Sequence, residues 1–226
     1  NNANLSEELA KNGVNIDKVF IPVKLIATTD EEVKTRITLA TNNQTPIKKE
    51  QLASLTQFQR GLEQYYNSYT DDSKIFYERR SKQFSSDNTV VKSKIITVPY
   101  QIKSFAAMFL DEPHNVTSYF GAIVKRLNEG RMQIFNNDHM FSPYYTSAFA
   151  FYILETFFRK GNIDSSYKKV RFHILMLFRK LYGKETIPPF NSKKMDKYCN
   201  DLLEILNDDV KLLKSFKKCL EIIDNS

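Results

Sequence analysis

Residues 144–158 constrain this chain most. Phe149, Phe151, Ile153, Leu154 and Phe157 leave the segment almost no polar face. A helix that is apolar nearly all round belongs inside a fold, surrounded by other elements. The neighbouring segments supply such partners. Residues 100–110 read as a helix with Ile102, Phe105, Ala106 and Phe109 on one face. Residues 167–182 turn Val170, Ile174, Leu177, Phe178 and Leu181 inward. Asp111-Glu-Pro113 begins a helix reaching about Asn128, and residues 130–141 are irregular. Gly161 stops the central helix, and Pro188-Pro189 breaks the chain. Ser192 is a cap candidate for a helix through Leu206. Asp208 opens a final helix with Val210, Leu213, Phe216 and Leu220 on one side.

Ahead of Pro99 the pattern differs. Residues 19–27 are β-branched and apolar, which predicts a buried strand. Thr29 and Glu32 have capping-box spacing, and Val33, Ile37 and Ala40 form the stripe of the helix that follows. That helix must stop before Pro46, and Thr45 caps another that begins there. Its stripe runs through Leu52, Leu55, Phe58, Leu62 and Tyr65, and residues 67–73 form a polar turn. Ile75, Phe76 and Tyr77 favour a short strand, with residues 19–27 as the expected partner. Residues 90–98 read as a further edge strand or an extended linker. The expected fold class is mainly α with a small α/β head, two or three strands near the N-terminus leading into an α-helical body. The expected domains are 1–98, a head carrying Asn42-Asn-Gln44, and 99–226, a helical body whose last third is basic.

The charge is uneven. The chain carries 33 Lys and Arg against 26 Asp and Glu, a net of +7. From Arg159 onward there are 15 basic and 9 acidic residues, so +6 of that excess lies in the last third. Such a surface fits contact with nucleic acid, and it fits a merely solvated helical face equally well. The 12 Tyr and 17 Phe are read mainly as core, with a few exposed tyrosines able to stack on bases. Cys199 and Cys219 have no Cys-x-x-Cys spacing and read as buried free thiols of a reducing cytoplasm. The longest apolar run, residues 148–154, is too short to span a bilayer, so no membrane partner is expected.

Motifs for catalysis are missing. There is no P-loop, no Gly-x-Ser-x-Gly and no Gly-x-Gly-x-x-Gly. His114, His139 and His173 stand far apart; Asp138-His139 reads as a surface feature and His173 as structural. Asp71-Asp72 and Asp208-Asp209 lie at a turn and a helix start, where carboxylates cap before they bind metal. Tyr77-Glu78-Arg79 lacks the lysine that a restriction-type nuclease places two residues after its acid. No catalytic residue, metal or cofactor is therefore expected.

Two polar constellations remain. Asn42, Asn43 and Gln44 either satisfy the helix end before Pro46 or meet a base edge or phosphate. Arg79, Arg80 and Lys82 follow Glu78. Strand alternation turns one arginine inward, to pair with Glu78 or another core acid, and leaves the other for phosphate. With Lys24 these make the candidate nucleic-acid-binding set: Lys24, Asn42, Asn43, Gln44, Arg79, Arg80 and Lys82.

Several of these stretches also carry a likeness. Lys24-Leu-Ile-Ala-Thr, Ala40-Thr-Asn-Asn-Gln-Thr-Pro-Ile, Leu52-Ala-Ser-Leu, Ile75-Phe-Tyr-Glu-Arg-Arg and Tyr100-Gln-Ile-Lys-Ser-Phe-Ala-Ala-Met-Phe-Leu-Asp-Glu-Pro resemble the AIPR family, the abortive-infection phage-resistance proteins of bacteria. The likeness covers positions 19–160, and the amide motif is more distantly similar to DGQHR-type, ParB-like DNA-associated proteins. Family members are usually longer, with an upstream region holding an Asn-Gly-x-Gln-Thr type turn and a nuclease-like domain. The resemblance thus implies a C-terminal portion of a cytoplasmic phage-defence protein. Such a fragment is expected to be non-catalytic by itself and to contact DNA or RNA or position an effector domain. The alternatives are a helical interaction or dimerisation module, pairing with a second copy or with the missing N-terminal domain, and a nuclease whose site that domain completes.

Overall fold

The computed structural model describes residues 27–30, 33, 57–128, 130, 134–183 and 186–225. The chain forms two compact units that divide after Thr45. In the first, the Asp30 carboxylate accepts the Val33 backbone N–H at 3.2 Å, and the Thr28 hydroxyl accepts the Asp30 N–H at 3.1 Å. The capping acceptor seen is therefore Asp30, one residue later than the expected Thr29; its charged oxygen is the stronger acceptor there. The expected strand over 19–27 lies outside the described residues except for Ala27, which has no regular structure.

The second unit runs in this order: α1 (Gln57–Asn67), a 3-10 turn at Asp71–Ser73, β1 (Phe76–Glu78), a 3-10 turn at Lys92–Lys94, β2 (Ile95–Thr97), α2 (Val98–Phe109), α3 (Pro113–Ser118) and α4 (Phe120–Asn128). Then come α5 (Ser142–Lys160), a 3-10 segment at Ser165–Val170, α6 (Arg171–Tyr182), α7 (Lys193–Leu206) and α8 (Asp209–Asp224). The fold class is as expected: mainly helical, with a small sheet ahead of the helical body. β1 and β2 pair in parallel, Tyr77 opposite Ile96. Residues 90–98 thus supply the strand partner seen for β1.

The α5 helix is the axis of this unit. Thirteen of its nineteen residues are buried, and α1, α2, α6 and α7 all pack on it. Gly161, at φ 73°, ends it in a Schellman turn in which Asn162 N–H reaches the Phe157 carbonyl at 3.0 Å. Aromatic rings fill the seams. Tyr144 stacks on Phe105 at 4.3 Å, and Tyr145 stacks on Tyr69 at 3.6 Å. Gly61 admits the Phe141 ring onto α1; a Cβ there would sit 2.6 Å from it.

Several buried polar groups in this core find partners across elements. The Tyr66 hydroxyl donates to the Gln101 side-chain oxygen, and the Gln101 amide donates to the Tyr144 carbonyl at 3.0 Å. One glutamine so ties α1, α2 and α5 together. The Tyr77 hydroxyl donates to the Gln59 side chain, joining β1 to α1. Arg179 on α6 is 4 % exposed; its Nε donates to the Met108 carbonyl at 2.8 Å and its terminal nitrogen to Asp111. It closes the C-terminal end of α2, where a cation is favoured. Cys199 and Cys219 are buried free thiols, and burial pushes both up to about 12.

Three local expectations change. The single helix expected over 111–128 is two, α3 and α4, broken at Tyr119. Thr117 bonds back to the Pro113 carbonyl at 2.7 Å, and Arg126 folds back to grip Glu112 at 2.6 and 3.0 Å. Ser192 occupies the N-cap of α7, but its hydroxyl donates to the Pro189 carbonyl at 2.8 Å. The inward face of α8 is Leu212, Phe216 and Cys219, while Val210 is 80 % exposed. Packing against α6 and α7 selects that line of the helix over the neighbouring one through Val210 and Leu213. Asp208 caps α8 as expected, accepting from Val210 and Lys211 N–H.

Arg179→Ala should lower stability by about 1–3 kcal/mol in urea unfolding, because it leaves the Met108 carbonyl without its buried donor, while the half-exposed Asp111 can turn to water. Arg179→Lys should restore little, since one ammonium cannot reproduce the planar fork that serves both Met108 and Asp111.

A second expectation concerns acid. Burial holds His139 and His173 below the usual histidine value. The unfolded chain then binds more protons than the folded one between the two values. Their stabilisation is full above about pH 6.5 and is lost progressively as pH falls towards the folded values. The urea midpoint should therefore drop from pH 7.5 to 5, and a His139→Gln, His173→Gln double variant should flatten that slope.

Candidate functional site

The sequence pointed to Arg79, Arg80 and Lys82, and the structure separates them. Arg79 follows the last residue of β1 and turns inward. Its Nε donates to Glu63 of α1 at 3.0 Å, with the arginine side chain 8 % and the glutamate 20 % exposed. Gln83 donates to the other Glu63 oxygen. Glu63 is the core acid that strand alternation called for, sixteen residues back on α1. Arg80 and Lys82 face solvent, and Lys82 adopts φ 60° in the turn. The loop that carries them is folded from within, since Lys92 donates to the Phe84 carbonyl and to the Asp87 carbonyl at 3.0 Å. Lys24, Asn42, Asn43 and Gln44 lie outside the described residues.

The basic last third acquires a definite layout. On α7 the exposed cations are Lys193, Lys194 and Lys197; on α8 they are Lys211, Lys214, Lys217 and Lys218. Spacings of three and four place Lys211, Lys214 and Lys218 in one row, with Lys217 beside it. Lys214, Lys217 and Lys218 also border a groove with Val210, Leu213 and Glu221. The pair between Lys211 and Asp208, 3.1 Å long, is exposed and neutralises one end of the row at little gain in stability. This row was visible in the sequence as Lys211-x-x-Lys214-x-x-Lys217-Lys218, but only the packing of α8 shows that it faces water.

The histidines divide differently from expectation. His139 is 8 % exposed, and its Nδ1 lies 2.9 Å from the Tyr144 hydroxyl. It is a core group, not the surface feature read from Asp138-His139, because the loop folds inward to let Tyr144 bind both His139 and the Phe135 N–H. Among the described residues no group of three or more His, Cys, Asp or Glu side chains is placed to hold a metal ion.

The two arginines give a direct test. Arg79→Ala should cost about 2–3 kcal/mol of stability, because it strands Glu63 partly buried without its charged donor. Arg80→Ala should cost under about 0.5 kcal/mol. Thermal or urea unfolding of the two variants checks the difference.

Comparison with known proteins adds a family. No curated protein and no solved structure matches the chain. A family model described as AIPR protein matches residues 3–226, a span that takes in the amide motif, β1, β2 and the whole helical body. On that match the chain belongs to the AIPR family.

Proposed function

We propose that this chain works in abortive-infection phage defence by contacting nucleic acid through cations of its helical body. Family membership supports the defence role. The observation that carries the contact is the row of lysines on α8, Lys211, Lys214 and Lys218 with Lys217 beside it, all exposed to solvent. A duplex presents phosphates in just such a row, and each lysine that displaces a counterion adds affinity without reading sequence. Arg80 and Lys82 are the second cationic element. In this reading residues 1–98 form the head, with Lys24, Asn42, Asn43 and Gln44 as further contacts, and residues 99–226 form the body. The portion acts in the bacterial cytoplasm and is itself non-catalytic, holding nucleic acid for an effector domain. No helix among the described residues is long and apolar enough to cross a membrane.

Salt dependence tests this. Binding of a short duplex should fall steeply between about 50 and 200 mM salt, linearly in log–log form. A Lys214→Ala, Lys217→Ala, Lys218→Ala variant should lower that slope by about 2–3 while its unfolding curve stays unchanged. Salt-insensitive binding, or none, would overturn the reading; a dimeric mass in the same preparation would favour the interaction module instead. Incubation with magnesium or manganese should leave the duplex intact.

A further inference from the structure

A cleft away from the α8 row supports a separate binding site. It opens where the N-terminal end of β2, the C-terminal end of α5 and the corner between α7 and α8 come together, with a volume of about 330 Å3. Its floor is aromatic and aliphatic, including Phe149, Tyr152 and Phe157 of α5 and Leu212 of α8. Its rim is polar: Lys94, Lys160, Asn207 and a single acid, Asp72.

The rim is held in place by bonds that leave donors to spare. The Lys94 ammonium donates to the Asp71 carbonyl at 3.1 Å and lies 6.0 Å from the centre of the Tyr152 ring. Two of its three N–H groups remain for a ligand. The Ser73 hydroxyl donates to the Asn207 side-chain oxygen at 3.1 Å, which leaves the Asn207 NH2 as a donor. Ser73 is itself anchored, since the buried Tyr145 ring donates its hydroxyl to the Ser73 carbonyl. Lys160 is the last residue of α5, exposed and without an acidic partner among the described residues. Arg159 stands beside it, donating to Thr156 at 2.6 Å. Three cations and one amide donor thus face or flank a hollow that holds one carboxylate.

We propose that this cleft binds a nucleoside monophosphate group. Lys94, Lys160 and the Asn207 amide take the phosphate, an arrangement of charged donors that suits a doubly charged monoester. The base lies on the aromatic floor at Tyr152, where a planar ring gains stacking. Asp72 accepts from an amino or hydroxyl group of the base or sugar, and its charge disfavours a bare polyphosphate. The volume stands at the lower end of small-molecule sites, which run from about 300 to 1,000 Å3, so it suits one nucleotide and not two. The group arrives either as a free nucleotide or as the 5′-phosphorylated end of a strand. The proposal does not rest on duplex contact by α8.

Titration calorimetry on the whole chain tests it. AMP, GMP and UMP serve as probes, with inorganic phosphate and adenosine as fragments, and short oligonucleotides with a 5′-phosphate or a 5′-hydroxyl. At least one mononucleotide should bind, and both fragments should bind about tenfold or more weaker. Lys160→Ala and Lys94→Gln should each weaken nucleotide binding about tenfold, the scale of one lost charge-assisted hydrogen bond. Lys160 is exposed, so that variant keeps the test sound if Lys94→Gln loosens the Asp71 turn. A Lys217→Ala, Lys218→Ala variant should bind nucleotide as before, and Lys160→Ala should keep duplex binding, which separates the two proposals. A preference for the 5′-phosphorylated oligonucleotide that Lys160→Ala removes identifies a strand end as the ligand; binding of mononucleotides without that preference identifies the free form. The proposal fails if no mononucleotide binds, if inorganic phosphate binds as tightly as AMP, or if the α8 variant loses binding as much as Lys160→Ala does.

Discussion

Helix α5 has almost no face to offer water, and the second unit is built to meet that need. Helices α1, α2, α6 and α7 pack on it, and Tyr144, Tyr145 and Phe149 join aromatic contacts that stack on Phe105 of α2 and on Tyr69 just past α1, and meet Phe58 and Tyr66 of α1 edge-on. Burying so many tyrosines imposes a second condition, because each hydroxyl taken from water needs a partner. Gln101, Gln59, His139 and the Ser73 carbonyl supply partners for Tyr66, Tyr77, Tyr144 and Tyr145. The polar bonds therefore do what the apolar contacts alone cannot. They set which helix lies at which height along α5.

Ion pairs then fix the edges. Arg179 joins α6 to the end of α2, Arg79 joins the β1 loop to α1, and Arg126 folds α4 onto the start of α3. Each is an arginine whose planar fork reaches a carboxylate on a different element, a task that suits guanidinium better than ammonium. Lysines take the other role. Those of α7 and α8 stay in water, while Lys74 and Lys103 lie over aromatic rings, and burial lowers the affinity of both for their protons. Those three arginines thus hold the core's edges, while the lysines of α7 and α8 take no part in its packing.

The same frame gives the surface two distinct cationic features. One is the exposed row along α8, whose lysines border a shallow groove with Val210, Leu213 and Glu221. The other is the small cleft bounded by Lys94 and Lys160, concave and backed by aromatic rings. The first is a line of like charges on one helix, and the second gathers residues of α5, α7, α8 and the turn before β2 around a hollow of about 330 Å3. Both belong to a chain of the AIPR family.

How much of this was legible in the chain alone depends on how local each feature is. Periodicity set α5 at the centre, gave it α2 and α6 as neighbours, and put a short strand at Phe76 and Tyr77, because apolar spacing reports a buried face directly. The AIPR motifs were equally local, and short runs such as Asn42-Asn-Gln44 carried the family. The identity of Arg79's partner was not legible, since Glu63 meets it only when β1 lies against α1. Nor was the burial of His139, which follows from a loop folding onto Tyr144, nor the choice of Leu212 over Val210 as the inner face of α8. The Lys94–Lys160 cleft joins residues sixty-six positions apart in sequence, and no spacing rule connects them. Sequence by itself determined that α5 is central and which face of α2 is apolar, because those depend on neighbours within a few residues. Tertiary structure alone decided which charges are buried, which are free and which share a cleft, because that depends on how whole helices dock.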